Sequence, residues 1–297
     1  MKLFLSLALI LLSAMIPAAP ALAQTQAEPE AWEILVHLPT RPGVTQDFLL
    51  MKPGQARACV ILLAGGDGAL GLYGEGEEVG IGSLGGNFLV RSRELFAEQG
   101  LVVATLDAPS DRQAGMGDEF RSGAAHAQDV AVVAGYLRRE TGLPVWLVGT
   151  SRGTVSAAGV ALRLSATPEV PRDGTGAETL ARPIDGVILS STITRSLHGH
   201  KTHFLLNGVL SLDLTAIRVP VLLVGHASDQ CEVTPARDMA RIAEKLKNSP
   251  RVETRTMEGG RAAISEPCQA KSAHGYFGVE QETVAAMAEF IRANSRP

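Results

Sequence analysis

The chain has 297 residues, of which 45% are apolar and 20% charged, and its 27 basic and 31 acidic side chains leave a net charge of −4. This composition excludes a disordered chain, a collagen and a coiled coil, and the length suffices to bury a sizeable core. Acidic and basic residues are interspersed and the pI is about 6.0, so we expect no nucleic-acid partner.

The first 23 residues have the pattern of a secretory signal. Lys2 precedes an apolar run of fourteen residues, Leu3–Ile16, and Ala21-Leu22-Ala23 follows. A basic start, an apolar centre and small residues at a cleavage position are typical of such signals. The run is shorter than the about 20 residues that cross a bilayer. We therefore expect residues 24–297 to be the mature protein, without a membrane span, in the periplasm or outside the cell.

Short apolar runs then alternate with helix-like stretches, which predicts one α/β domain with a mainly parallel sheet. Two early runs favour an antiparallel edge: Ile34–His37 and Phe48–Met51. Five continuous apolar runs predict strands that are buried on both faces: Ala58–Ala64, Leu101–Leu106, Pro144–Val148, Gly186–Ser190 and Val219–Val224. Helices are expected at five places: Leu89–Gln99, Ala124–Glu140, Arg152–Leu164, Pro235–Asn248 and Val279–Ala293.

Two stretches interrupt this alternation. Ten of the 22 residues from Gly65 to Gly86 are glycine, which predicts a loop because each glycine opposes a helix by about 1 kcal/mol. The stretch Ser165–Pro183 is rich in turn-forming residues and predicts a surface insertion. Thr234 and Pro235 have the residue types of a helix N-cap and first helical position.

The strongest signal for chemistry is the segment Gly149-Thr150-Ser151-Arg152-Gly153, which directly follows the strand run PVWLVG and directly precedes an alanine-rich helical stretch. In this G-x-S-x-G pattern the serine sits on a strained turn from strand to helix, where side chains two positions away would collide with their neighbours. The helix start also faces developing negative charge. The pattern predicts that Ser151 is a nucleophile.

A serine hydroxyl becomes a good nucleophile when a base accepts its proton and a carboxylate orients that base. Asp229 follows the buried run VPVLLVG, and His274 lies in a loop before the last predicted helix. Glu232 and Asp107 are the alternative acids. We expect His226, at a strand end, to pack or to form local hydrogen bonds.

The order Ser151, Asp229, His274 is the order of the triad in the α/β-hydrolases. The chain resembles that family over most of its mature length, roughly residues 36–293. The resemblance implies a serine hydrolase that requires no cofactor, with His274 as the base and Asp229 as its orienting acid.

The same resemblance implies two backbone donors for the oxyanion. One is the N–H of Arg152, and the other comes from the loop after an earlier strand, here ILLAGGDG, with Gly66 or Asp67 as the candidate. Ala64-Gly65 stands where the family usually has His-Gly, so the register of the second donor stays open by one residue.

The chain has three cysteines. Cys59 opens an apolar run and is expected to be buried as a small hydrophobic residue. Cys231 and Cys268 lie in polar, turn-rich segments of an exported chain, so we predict a disulfide between them, with two free thiols as the alternative. Such a bond would join the loop of Asp229 to the loop of His274.

Three other features of the sequence have competing interpretations. Residues 66–71 match G-x-G-x-x-G, but a dinucleotide site would require a helix there and an acid about 20 residues on. His198, His200 and His203 could hold a metal, line a substrate entrance or simply be solvated, and solvated side chains are our expectation; no metal is assigned. Arg152 is expected to pair with Asp118 or Glu119 rather than to bind a substrate carboxylate.

The sequence thus predicts an exported serine hydrolase that cleaves a carboxylic ester of a small molecule through an acyl-enzyme. Peptidase, amidase or other acyl-transfer activity is the alternative, since the same triad serves amides. A hydrolase-like protein that binds without cleaving is a further alternative.

Overall fold

The computed structural model describes residues 33–75, 78–165, 184–196 and 205–295. Outside these residues lie the signal-like segment 1–23, residues 166–183 of the expected insertion, and His198, His200 and His203. Within the described part, no helix is long and apolar enough to cross a membrane.

The described residues form ten strands, most of them short. They are β1 (Glu33–Arg41), β2 (Val44–Met51), β3 (Ala58–Leu63), β4 (Leu72–Glu75), β5 (Glu78–Ile81), β6 (Leu101–Leu106), β7 (Val145–Thr150), β8 (Gly186–Ser190), β9 (Val221–His226) and β10 (Val252–Met257). Eight of them make one sheet in the order β1-β2-β6-β3-β7-β8-β9-β10. β1 is antiparallel to β2, and β2 to β6, whereas all later neighbours are parallel. The predicted antiparallel edge and parallel centre are confirmed.

Seven α-helices are described. They are α1 (Phe88–Arg91), α2 (Arg93–Glu98), α3 (Asp118–Arg121), α4 (Ala124–Thr141), α5 (Gly153–Ser165), α6 (Met239–Lys245) and α7 (Glu280–Asn294). Side chains of α4, α5 and α6 pack on one face of the sheet, and those of α1, α2 and α7 pack on the other. Successive residues of β3 supply the two cores, since Ile61 faces the first and Val60 the second. This two-sided burial explains why the central strands are continuous apolar runs.

The glycine-rich stretch is more ordered than the sequence predicts. Strands β4 and β5 pair within it as an antiparallel hairpin, and Leu72 and Ile81 pack on a small cluster with Leu70. Residues 66–71 therefore lead into a strand and not into the helix that a dinucleotide site would require.

Strand β10 was not predicted. Its sequence VETRTM has four polar residues between Val252 and Met257, and its burial is partial because it lies at the edge of the sheet. Continuous apolar runs mark strands that are buried on both faces, and an edge strand such as β10 lacks such a run.

Two helix predictions were inaccurate. The helix expected at Leu89–Gln99 is divided at Ser92 into α1 and α2. The helix expected to begin at Pro235 starts with a 3₁₀ turn, Ala236–Asp238, and α6 ends at Lys245. Thr234 does not cap a helix, because its hydroxyl group contacts the side chains of Asp229 and His274 instead.

Candidate active site

Ser151 occupies the turn between β7 and α5 in a left-handed conformation, with φ of +51°. Its N–H donates to Ser190 O at 3.0 Å, and its carbonyl accepts from Thr154 N at 2.9 Å. A left-handed conformation is uncommon for a residue other than glycine and persists where surrounding contacts impose it. The turn therefore presents Ser151 at the carboxyl end of a central strand, as the G-x-S-x-G pattern predicts.

Both glycines of that pattern are required by close backbone contacts. A Cβ at Gly153 would lie 1.9 Å from Leu63 O, and one at Gly149 would lie 2.5 Å from Gly153 O. Either contact is far too short for a side chain, so the glycines allow the helix to start directly against β3.

Asp229 and His274 are hydrogen-bonded to each other. Asp229 lies in the loop after β9, and His274 lies in a 3₁₀ turn, Ala273–Gly275, before α7. The His274 Nδ1 to Asp229 Oδ2 distance is 3.2 Å, and the two side chains are 6% and 1% exposed. The structure therefore brings together two predicted residues that are 45 positions apart in the sequence.

Thr234 contacts both of these side chains, an arrangement that the sequence did not predict. Its hydroxyl donates to Asp229 Oδ2 at 3.0 Å and lies 3.0 Å from His274 Nδ1. Because the single hydroxyl proton goes to the carboxylate, the Thr234 oxygen accepts from Nδ1–H. This fixes the tautomer in which His274 Nε2 is free to accept a proton. The only signal in the sequence was a hydroxyl residue five positions after Asp229.

A disulfide joins Cys231 to Cys268, with a Cα–Cα distance of 4.6 Å, as the sequence analysis predicted. Cys231 N also donates to Asp229 Oδ1 at 2.9 Å. The bond thus links the loop of the acid to the segment that precedes His274. Cys59 is buried, as expected, and burial raises the pKa of its thiol to about 11.

The loop of His274 is anchored to the end of β8. Ser191 Oγ donates to His274 O at 2.8 Å, and Tyr276 OH donates to Val224 O at 3.0 Å. Ser191 directly follows Ser190, which accepts the N–H of Ser151. The dipeptide Ser190-Ser191 therefore contacts the strand-to-helix turn of residues 149–153 (the elbow) on one side and the loop that carries His274 (the histidine loop) on the other, since β8 lies between β7 and β9.

The loop after β3 lies directly against the elbow. A Cβ at Gly65 would be 2.9 Å from Ser151 Cβ. Gly66 has a φ of +59°, and Asp67 Oδ1 accepts from Ala69 N at 3.1 Å. Both predicted candidates for the second oxyanion donor are thus part of a loop that lies directly against Ser151.

Arg121, which the sequence analysis did not single out, holds this loop from the protein interior. Its fully buried guanidinium donates to Ala64 O at 3.3 Å and to Gly66 O at 3.2 Å. Burial lowers the pKa of Arg121 to about 9. Because C=O and N–H point in opposite directions across a trans peptide, the bond to Gly66 O turns the N–H of Asp67 away from Arg121.

The side chain of Arg152 pairs with Asp118, as expected, with Nη2 to Oδ1 at 2.9 Å. Its Nη1 also lies 3.4 Å from Gly66 O. This side chain therefore has a structural partner, and its backbone follows Ser151 into the start of α5.

The alternative acids and His226 have other surroundings. Asp107 accepts from the N–H groups of Leu70 and Leu72 and so holds the glycine-rich loop. Glu232 is exposed. His226 is buried, and its Nδ1 accepts from Ser228 N at 3.1 Å, the local bond that was expected. Within the described residues, no group of His, Cys, Asp and Glu side chains is arranged to hold a metal ion.

No protein-family model and no curated protein matches the chain. Solved structures do match it. An esterase of Pyrococcus furiosus has a TM-score of 0.55 at 15% identity, over 89% of this chain and 93% of that one. Dienelactone hydrolase from Anabaena variabilis has 0.54 at 13%, over 90% and 100%. Esterase 2 of Thermogutta terrifontis, in a structure phosphoramylated by tabun, has 0.52 at 14%, over 91% and 97%.

At these identities the similarity is one of fold. The chain has the α/β-hydrolase fold, which confirms the architecture implied by the order Ser151, Asp229, His274.

Proposed function

We propose that the protein is an exported, single-domain serine hydrolase that cleaves carboxylic esters of small molecules without a cofactor. One observation carries the proposal. The hydrogen-bonded pair of Asp229 and His274 lies at the carboxyl edge of the sheet where Ser151 occupies a left-handed elbow. The names of the solved structures with this fold, two esterases and a dienelactone hydrolase, agree with ester chemistry.

In the proposed reaction, Ser151 Oγ attacks the acyl carbon while His274 Nε2 takes the hydroxyl proton. Asp229 and Thr234 hold the Nδ1–H side of the imidazole, and the carboxylate stabilises the imidazolium as it forms. The tetrahedral oxyanion accepts hydrogen bonds from the N–H of Arg152 and from that of Gly66 or Asp67. Collapse breaks the ester C–O bond, and His274 returns the proton to the leaving alcohol. Water then attacks the acyl carbon while His274 Nε2 takes one of its protons, the bond to Ser151 Oγ breaks, and Ser151 Oγ takes the proton back as the carboxylic acid leaves.

Export is supported by two independent features. The segment 1–23 has the pattern of a secretory signal, and the bond between Cys231 and Cys268 belongs to the type of disulfide that persists in oxidising compartments. We propose a periplasmic or secreted location on these grounds.

The test is covalent labelling of residues 24–297, purified with the disulfide intact, by a fluorophosphonate. Intact mass should show one adduct on the wild type and none on Ser151→Ala, because the reagent requires an activated serine. Ser249→Ala is the matched control, since that serine lies in a turn after α6 and should leave labelling unchanged. A folded wild type without an adduct would overturn the proposal and favour a binding protein.

A second measurement separates esterase from amidase activity. Rates on p-nitrophenyl acetate and on acetyl p-nitroanilide compare the two leaving groups with the same acyl group. We expect turnover of the ester and little of the anilide, and preferential cleavage of the anilide would favour the peptidase alternative.

A further inference from the structure

Asn87 directly precedes α1 and uses one end of its side-chain amide to cap that helix. Its Oδ1 accepts from Leu89 N at 3.1 Å, and its own N–H donates to Leu84 O at 2.7 Å. These bonds fix the orientation of the amide, because the oxygen must face the helix. The Nδ2 end therefore points away from α1.

The Nδ2 atom of Asn87 lies next to the nucleophile position. A Cβ at Gly65 would be 3.3 Å from Asn87 Nδ2 and 2.9 Å from Ser151 Cβ, so the two atoms lie close to the same point. In the described part of the chain, the hydrogen bonds of the Asn87 side chain involve Oδ1 and leave Nδ2 without an acceptor. The residue is half-buried. An oriented donor is thus adjacent to Ser151, and no acceptor among the described residues receives its hydrogen.

Neighbouring contacts also fix the position of Asn87 relative to the histidine loop. The ring of Phe88 packs on that of Tyr276, with centroids 4.7 Å apart. Arg91 donates to Gly275 O at 2.6 Å and to Gly86 O at 2.8 Å. Residues on both sides of Asn87 are therefore tied to the turn that carries His274.

We propose that the Nδ2 amide of Asn87 donates a hydrogen bond to the acyl oxygen of a substrate attached to Ser151, as a third donor beside the two backbone N–H groups. This inference rests on the proposed function. A fixed neutral donor stabilises the oxyanion more than the carbonyl from which it forms, so its contribution appears in kcat. The role also accounts for Gly65, since a side chain there would occupy the space between donor and nucleophile.

The test uses variants that keep the cap and lose the donor. Serine and aspartate cap helices about as well as asparagine, so Asn87→Ser and Asn87→Asp should unfold at the wild-type temperature. We expect kcat on p-nitrophenyl acetate to fall about 100-fold with KM changed by less than about threefold, as for removal of an oxyanion donor. The Ki of a trifluoromethyl ketone, whose hemiketal oxygen occupies the oxyanion position, should rise by the factor that kcat/KM loses.

Asn248→Ser is the matched control, because its Nδ2 donates to Thr215 O at 2.8 Å on the exposed surface. A folded Asn87→Ser enzyme with kcat and Ki within about threefold of wild type would overturn the inference. If Asn87→Ser failed to fold, the same two measurements on Asn87→Asp would decide. The proposed function is judged separately, since a wild type that reacts with the fluorophosphonate sustains it whatever the Asn87 variants do.

Discussion

The elbow around Ser151 and the pair of Asp229 and His274 lie at the same edge of the sheet, but they are held in different ways. The elbow is encoded within five residues, because Gly149 and Gly153 keep the turn free of side chains that would collide with Gly153 O and Leu63 O. The acid and the base come from loops 45 residues apart, joined by hydrogen bonds and a disulfide. The difference teaches that the turn of Ser151 is encoded by one short sequence pattern, whereas the pairing of Asp229 with His274 depends on contacts between segments that are distant in the sequence.

The largest effect is expected from filling the elbow. Gly153→Ala places a methyl group 1.9 Å from Leu63 O, and backbone cannot move aside as a side chain can. We expect the free energy of unfolding in urea to drop by roughly 4 kcal/mol or more, above the usual cost of overpacking. Gly85→Ala is the control, since a Cβ there meets nothing within 4 Å. Equal stability of the two variants would contradict the steric account.

The disulfide is the strongest single link on the acid–base side. Replacing Cys231 and Cys268 together by serine should lower the free energy of unfolding by about 3 kcal/mol. Esterase activity should decrease as well, because the loop of Asp229 is then no longer covalently linked to the segment that precedes His274. Labelling at Ser151 and urea unfolding measure the two effects, and unchanged activity would show that the hydrogen bonds suffice. Cys59→Ala serves as the control for loss of a thiol.

A buried histidine in α4, His126, should make stability depend on pH. Burial lowers the pKa of His126 to about 3, and within the described residues its two ring nitrogens have no hydrogen-bond partner. Its unfolded pKa is near 6.5, so the unfolded chain binds the extra proton between pH 6.5 and 3, and stability falls as the pH falls through that window.

At pH 4.5 the loss from His126 should reach about 2 to 3 kcal/mol relative to pH 7. His126→Leu should remove this slope, as measured by urea unfolding at the two pH values. His37→Leu, at a surface position, provides the comparison, and a slope that persists in His126→Leu would refute the assignment.

The smallest effect is expected from Thr234→Val, which keeps the shape of the side chain and deletes its hydroxyl. Asp229 then loses one donor and Nδ1–H of His274 loses one acceptor. A hydrogen bond to a charged group contributes about 1.5 to 3 kcal/mol, so kcat should fall at least about tenfold with little change in KM. Thr234→Ser should restore most of the rate, and a fully active valine variant would show that the hydroxyl is dispensable.

The same contrast explains what the sequence could predict. Gly149 and Gly153 flank Ser151 in a pattern whose meaning is local, so the elbow and the strand before it could be identified from sequence alone. Asp229 and His274 could be found only through their order in the chain. Thr234, Arg121 and Asn87 carry no pattern, because their importance arises from partners that fold next to them.

Ser190 and Ser191 have a practical consequence for redesign. These two residues carry no proposed chemical step, yet one accepts the N–H of Ser151 and the other binds the carbonyl of His274. A transplant of the site into another scaffold that moved only the reacting side chains would lose the spacer between them. The smallest portable unit is therefore the ends of β7, β8 and β9 together with the turn of His274, with the serine dipeptide in the middle.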